Sequence, residues 1–227
     1  MKRLEICNLL NTQHTIARDI FNDKKYAFEV LTEIKDYILV LCHKLDMRKF
    51  DSFGDGVFVA KSATVAKSAM IIGPCIIDEG AEIRHGAFIR GNVIVGKNSV
   101  VGNSTELKNS ILFDMVQVPH YNYIGDSILG YKSHFGAGAI TSNVKSDKTN
   151  VSVTIDDEKY NTNLKKFGAI IGDNVEIGCG AVLNPGTVVG KDTNIYPLSM
   201  VRGYVPQGCI YKNRNEVVEK VWKSGTS

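Results

Sequence analysis

Residues 57–113 read VFVAKSATVAKSAMIIGPCIIDEGAEIRHGAFIRGNVIVGKNSVVGNSTELKNSILF, and one beat runs through them. A large apolar residue returns every six positions at Val59, Val65, Ile71, Ile77, Ile83, Ile89, Val95, Val101, Leu107 and Phe113. Four positions further on the residue is usually small, as at Ala63, Ala69, Cys75, Ala81, Ala87, Ser99 and Thr105. Neither the 3.6-residue period of a helix nor the two-residue period of a lone strand produces this spacing. A six-residue repeat is the pattern of a parallel β-helix, in which each hexad is one short strand plus a turn and three hexads close a triangular coil. The beat resumes at Leu129 and Phe135, and again at Ile171, Ile177, Leu183, Val189, Ile195 and Val201. About nineteen hexads, hence about six coils, are expected.

Outside the repeat, residues 1–56 form an N-terminal helical cap. Phe28, Leu31, Ile34, Ile38 and Leu41 fall at helical spacing within Lys25–Leu45, and a further helix is expected near Thr15–Phe21. The cap is expected to cover the open end of the prism, because a terminal coil otherwise exposes an apolar face and unpaired strand edges. Residues 57–206 form the β-helix. Pro206 ends the repeat, and residues 207–227 form a strand/helix tail, with a helix over Asn215–Lys223 carrying Val217, Val218, Val221 and Trp222.

The net charge of the 227 residues is +3, with both signs interspersed, which disfavours a dedicated nucleic-acid binder. Five widely spaced cysteines without a CxxC pair fit a reducing, cytoplasmic setting. No stretch is apolar for long enough to span a bilayer and no secretory signal pattern opens the chain, so no membrane partner is expected.

The beat breaks twice. From Phe113 to Tyr123 the step is ten rather than twelve, which places a register slip around Val118-Pro119-His120. Between Thr141 and Ile171 a polar stretch, about 144–167, reads as a loop extruded from the coil, and long loops in compact repeat domains are usually functional or disordered. His120, beside the slip, is a candidate general base. Tyr123 and Asn122 are placed to hydrogen-bond a substrate.

Three collinear motifs sharpen this: Gly102-Asn103-Ser104-Thr105-Glu106-Leu107-Lys108, Pro119-His120-Tyr121-Asn122-Tyr123-Ile124-Gly125-Asp126, and Gly136-Ala137-Gly138-Ala139-Ile140-Thr141-Ser142-Asn143. Over about residues 57–206 the chain resembles the acetyltransferase domain of bifunctional UDP-N-acetylglucosamine pyrophosphorylase/glucosamine-1-phosphate N-acetyltransferase, as a stand-alone homologue. The resemblance implies an all-β, left-handed parallel β-helix that forms a homotrimer. It implies transfer of an acetyl group from acetyl-CoA, as cosubstrate and with no magnesium requirement, to an amino-sugar phosphate or nucleotide sugar. Residue by residue it implies His120 as the general base. It places Arg90, Lys108, Tyr123, His134 and Asn143 at the substrate, with Lys148 the nearest candidate for a family lysine that is not in register here, and Ala137 and Cys179 along the cofactor arm. The family often carries asparagine where His134 stands. Its Asn-Tyr-Asp-Gly stretch reads Asn143-Val144-Lys145-Ser146 here.

Residues 1–56 lack the Gly-rich loop a nucleotidyltransferase half would need. Two other readings stay open. One is a non-catalytic trimer that binds sugar phosphate or nucleotide sugar. The other is a zinc enzyme of the γ-carbonic-anhydrase type, for which His85, His120 and His134 would be the ligands to test.

Overall fold

The computed structural model describes residues 2–156 and 158–221. The repeat winds into a parallel β-solenoid with three walls. Its first wall stacks Val57–Ala60, Cys75–Ile77, Val93–Val95, the end of Glu106–Leu112, the end of Tyr123–Leu129, Ala169–Ile171, Thr187–Val189 and Tyr204–Val205. That is eight rungs, two more than the expected six coils. The second wall runs from Thr64–Val65 to Cys209–Asn213, and the third from Met70–Ile72 to Met200–Val201. Successive rungs pair parallel and in register, Val59 with Ile77 and Ile77 with Val95, so each wall is a ladder that places like residues over like.

The inward column of the first wall continues to Leu112 and Leu129, both fully buried. Phe113, expected as the beat residue, lies one position past it. The expected slip at Val118-Pro119-His120 is therefore misplaced. Two shortened steps replace it, Leu107 to Leu112 and Ile124 to Leu129, each five residues long. At their turns Asn109 and Asp126 take the left-handed conformation, both at φ 47°, which asparagine and aspartate tolerate better than other residues with a Cβ. Val118 itself stays in step with Val101.

The first wall is apolar on both sides. Its outward residues Ile76, Ile94, Ile111, Phe113, Ile128, Ile170 and Val188 are 0–1% exposed. The N-terminal segment covers them. It comprises short 3₁₀ turns, including Arg18–Phe21 and Ala27–Thr32, and an α-helix over Ile34–Leu41. The continuous helix expected over Lys25–Leu45 is thus broken at Glu33, although all five apolar positions are buried as the spacing required. The 3₁₀ winding lets Ala27, Phe28, Val30 and Leu31 all be buried. Phe21 packs edge-on to Phe113, and Phe28 packs on Phe167. Asn109 Nδ2 donates to the Leu31 carbonyl, and the Asp173 amide to that of Leu9.

The N-terminal segment therefore sheathes a flank and does not cap an end. At each end an antiparallel strand covers the edge of one wall: Phe50–Ser52 pairs with Val57–Ala60, and Glu216–Glu219 with Cys209–Asn213. The second pairing replaces the helix expected over Asn215–Lys223. The β-branched pair Val217 and Val218 disfavours a helix, and the open edge of the last rung offers unpaired backbone to a returning strand. Trp222 and Lys223 lie outside the described residues.

The extruded segment also folds. Ser152–Ile155 and Glu158–Asn161 form an antiparallel hairpin, with Val151, Val153 and Phe167 buried against the solenoid and the N-terminal aromatics Tyr26 and Phe28.

Candidate functional site

The outer surface of the third wall carries two columns. Glu106, Tyr123 and Ile140 stand above one another at the strand starts, and Arg90, Lys108 and Gly125 at the strand ends. The rung Tyr123–Gly125 is about 10 Å wide at about 3.3 Å per residue. One long edge of this wall carries His120; the other carries Asp126.

At the Asp126 edge a buried carboxylate collects the wall's polar groups. Asp126 is 4% exposed. Its Oδ1 accepts from Asn109 Nδ2 at 2.9 Å and its Oδ2 from Asn143 Nδ2 at 2.5 Å, while Lys108 Nζ lies 3.8 Å away. A buried carboxylate needs such partners to offset its lost hydration. Asn143 Nδ2 also donates to the Tyr123 hydroxyl at 3.3 Å. Burial, with Asp126 and then Glu106 adding their charge, raises the Tyr123 phenol above its ordinary value, so at neutral pH it is a donor. Arg90 holds Glu106 at 2.6 Å in a half-exposed pair.

Glycine at 125 is required by this packing. A Cβ there would lie 2.5 Å from the Tyr123 hydroxyl oxygen and 2.8 Å from Cζ, so the phenol ring lies over the glycine backbone. Gly125→Ala is expected to push the ring off and break its bond to Asn143, costing about 1 kcal/mol of stability. Urea unfolding would show it, and an unchanged unfolding midpoint would contradict it.

At the other edge the turn Pro119–Asn122 is pinned from inside. Asn122 is 2% exposed. Its Nδ2 donates to the carbonyls of Gly136 and Ala139, and its Oδ1 accepts from the His120 amide at 3.1 Å. With its partner inside the coil, the turn projects His120 and Tyr121 into solvent, Tyr121 at φ 51°. The rungs below continue this edge with Ala137 and Cys179, both exposed: the Gly138 amide donates to the His120 carbonyl, and the Gly180 amide to that of Ala137. Imidazole, methyl and thiol therefore follow one another down a single edge.

Seven of the nominated residues are thus brought to one wall and its two edges: Arg90, Lys108, Tyr123 and Asn143 on the Asp126 side, and His120, Ala137 and Cys179 on the other. His134 is not among them. It sits on the outer side of the second wall with Nδ1 2.8 Å from Glu176. Lys148 is exposed in the extruded segment, hydrogen-bonded through its amide to Lys145. Three residues hold the site together in roles the sequence did not give them: Asn109 was not nominated, Asp126 stood only within a motif, and Asn122, expected to hydrogen-bond a substrate, is buried and bonds the carbonyls of Gly136 and Ala139 instead. For Asp126 and Asn109 the signal was their place at the shortened steps. His85, proposed beside His120 and His134 for zinc, bonds Ser68 at 2.7 Å, and no group of three metal-ligating side chains comes together among the described residues.

The five cysteines are free thiols. Burial pushes the Cys75 thiol up to about 12, while Cys7 and Cys179 are exposed. Native protein at pH 8 is therefore expected to show fast labelling of Cys7 and Cys179 by an aromatic disulfide reagent and none of Cys75 until denaturant is added. Mass mapping of the labelled peptides reads the effect, and labelling of Cys75 in the native protein as fast as that of Cys179 would contradict it.

A solenoid of six-residue repeats is the architecture of hexapeptide transferases, and the family comparisons agree. Residues 168–203 match bacterial transferase hexapeptide (six repeats), and residues 71–159 match the GMPPB C-terminal domain. The chain carries a hexapeptide-repeat domain related to GlmU. It is 36% identical over 116 residues to the bifunctional protein GlmU of Methanococcus vannielii, covering 51% of this chain and 28% of that protein. It is 32% identical over 107 residues to a bifunctional sugar-1-phosphate nucleotidylyltransferase/acetyltransferase of Sulfurisphaera tokodaii, covering 47% and 27%. The matched part thus spans little more than a quarter of those relatives. Among solved structures, the polySia specific acetyltransferase NeuO is 15% identical, with 76% of this chain and 91% of that one covered at a TM-score of 0.47. No helix among the described residues is long and apolar enough to cross a membrane.

Proposed function

We propose that the chain is an acyl-CoA-dependent acetyltransferase acting on the amino group of an amino-sugar phosphate or nucleotide sugar. The observation that carries this reading is the edge on which an exposed imidazole stands directly above Ala137 and Cys179, flanking a wall that presents Arg90, Lys108, Tyr123 and Asn143. The small side chains at 137 and 179 leave room for a pantetheine arm to lie against the backbone. The relationship to GlmU and to a named sugar-1-phosphate nucleotidylyltransferase/acetyltransferase supports the same chemistry.

In this reading His120 accepts a proton from the attacking amine as nitrogen bonds to the thioester carbonyl carbon. The tetrahedral intermediate collapses with cleavage of the carbon–sulfur bond, and the imidazolium returns its proton to the departing thiolate. Arg90 and Lys108 bind the phosphate, Arg90 exchanging its Glu106 partner for it, which suits a planar guanidinium. Tyr123 and Asn143 hold sugar hydroxyls. His134 and Lys148 reach the same groove from a neighbouring copy of the chain, closed as a homotrimer.

The test is release of coenzyme A thiol from acetyl-CoA against a panel of amino-sugar 1-phosphates and nucleotide-linked amino sugars. Turnover of at least one, at more than a hundred times the hydrolysis seen without acceptor, is expected. Saturable binding of both substrates with no thiol release would make the protein a binding module and overturn the proposal.

A further inference from the structure

The first coil of the solenoid has a neighbour on one side only. In the second coil the inward residues Ile77, Ile83 and Ile89 are 0–1% exposed. Their counterparts one coil earlier, Val59, Val65 and Ile71, floor an open hollow of about 640 Å³, and Val65 is 37% exposed. Asp55 is the one charged residue among the described residues that line it. Phe53 stands on its rim, 70% exposed, and Leu39, Met70 and Ile72, all exposed, continue the apolar surface at this end.

The backbone of this end is open as well. Phe50–Ser52 covers only the first wall. Among the described residues, Thr64–Val65 pairs with Glu82–Ile83 alone and Met70–Ile72 with Phe88–Arg90 alone, so each keeps a free edge. A free strand edge beside an apolar floor is a template for association. The rest of the chain does not reach it. Lys2 lies at the far end, beside Tyr204 and Pro206. Residues 222–227 follow the strand that returns along the last coil. Six residues extend at most about 22 Å, short of the about 34 Å that seven steps between eight rungs span.

We infer that this end is a docking face for a second copy of the chain, related by a two-fold axis, with Phe53 of each copy seated in the hollow of the other. A two-fold contact uses the same patch on both sides, so the patch must carry both a projection and the cavity that receives it. This one does: an exposed phenyl ring stands on the rim of an apolar hollow. The second copy also brings the same free strand edges. The charged pair beside the hollow, Asp51 with Lys61 at 3.7 Å, is neutral as a unit, so two copies meet there without like-charge repulsion. Side-by-side packing of solenoids leaves this end free. A single chain therefore becomes a dimer, and a trimer becomes a pair of trimers.

Sedimentation equilibrium on the full chain tests the face. At micromolar concentration the wild-type mass is expected to be an even multiple of the 24.9 kDa chain. Phe53→Asp and, separately, Ile72→Lys should each halve it, because each puts a charge into the apolar contact. Both side chains are exposed, so circular dichroism should show each variant folded as the wild type. Val221→Asp, the same kind of change at the far end on a residue 89% exposed, should leave the mass unaltered. Acetyl transfer does not enter the readout, so the face stands or falls apart from the proposed reaction. Three results would overturn the inference. One is a wild-type mass of one or three chains, which would leave this end to a different partner. Another is an even mass that survives either Phe53→Asp or Ile72→Lys in a folded variant. The third is a mass that Val221→Asp halves as well.

Discussion

His120→Ala is expected to lower the proposed acetyl transfer by about 10²–10⁴-fold, the range that a positioned general base contributes. The effect falls on turnover, because the imidazole stands on the edge above Ala137 and Cys179 while the groups proposed to bind the acceptor lie across the wall. KM for the acceptor should move less than threefold. The fold should be untouched, since His120 is exposed and the turn is held by the Asn122 side chain and by main-chain bonds that alanine keeps. Thiol release with saturating acceptor measures it, with circular dichroism as the control for structure. Loss of less than tenfold in a folded variant would remove His120 from the chemistry.

The second large effect is structural. Removal of residues 2–45 strips the sheath from a wall whose outward face is Ile76, Ile94, Ile111, Phe113, Ile128, Ile170 and Val188. Each such side chain is worth about 1.5–3 kcal/mol when taken out of water. Their joint exposure would leave an apolar face larger than soluble monomers carry. The truncated chain is expected to aggregate. A single substitution gives a graded version: Phe28→Ala, which empties a 4%-exposed site against Phe167, should cost about 3–5 kcal/mol in urea unfolding. A soluble, monodisperse truncation with an unchanged unfolding midpoint would show that the sheath is dispensable. His120→Ala removes the proposed chemistry and spares the fold, whereas the truncation spares every nominated site residue.

Much of the solenoid was legible because its signal is one-dimensional. A coil repeats the same inward contact every six residues, so Ile77, Ile83 and Ile89 announce their own burial. What stayed hidden depends on contacts distant in sequence. The sheath was read as an end cap because the spacing of Phe28, Leu31, Ile34, Ile38 and Leu41 shows that a face is buried, and not against what. The missing clue was available in the first wall: Cys75-Ile76-Ile77, Val93-Ile94-Val95 and Ile111-Leu112-Phe113 are apolar throughout, the pattern of a strand buried on both faces. The C-terminal segment was read as helix from clustered valines, whose β-branching fits the strand that the open rung recruits.

At the candidate site the motif around His120 was visible, but the slip was assigned to the wrong turn. Both five-residue steps fall on the Asp126 edge, where Asn109 and Asp126 meet only after a full coil has been wound. Counting from Leu107 to Phe113 hides the first of them, because Leu112 and Phe113 are both apolar and both buried, one facing in and the other facing the sheath.

The proposed acyl transfer takes place on the third wall, at its His120 edge. A crystal structure of the protein soaked with acetyl-CoA and an amino-sugar phosphate tests this most directly. It should show the thioester beside Ala137 and Cys179, the phosphate on Arg90 and Lys108, and the acceptor nitrogen within about 2.6–3.2 Å of the His120 imidazole. Coenzyme lying along the second wall, or an acceptor with no atom near His120, would contradict it.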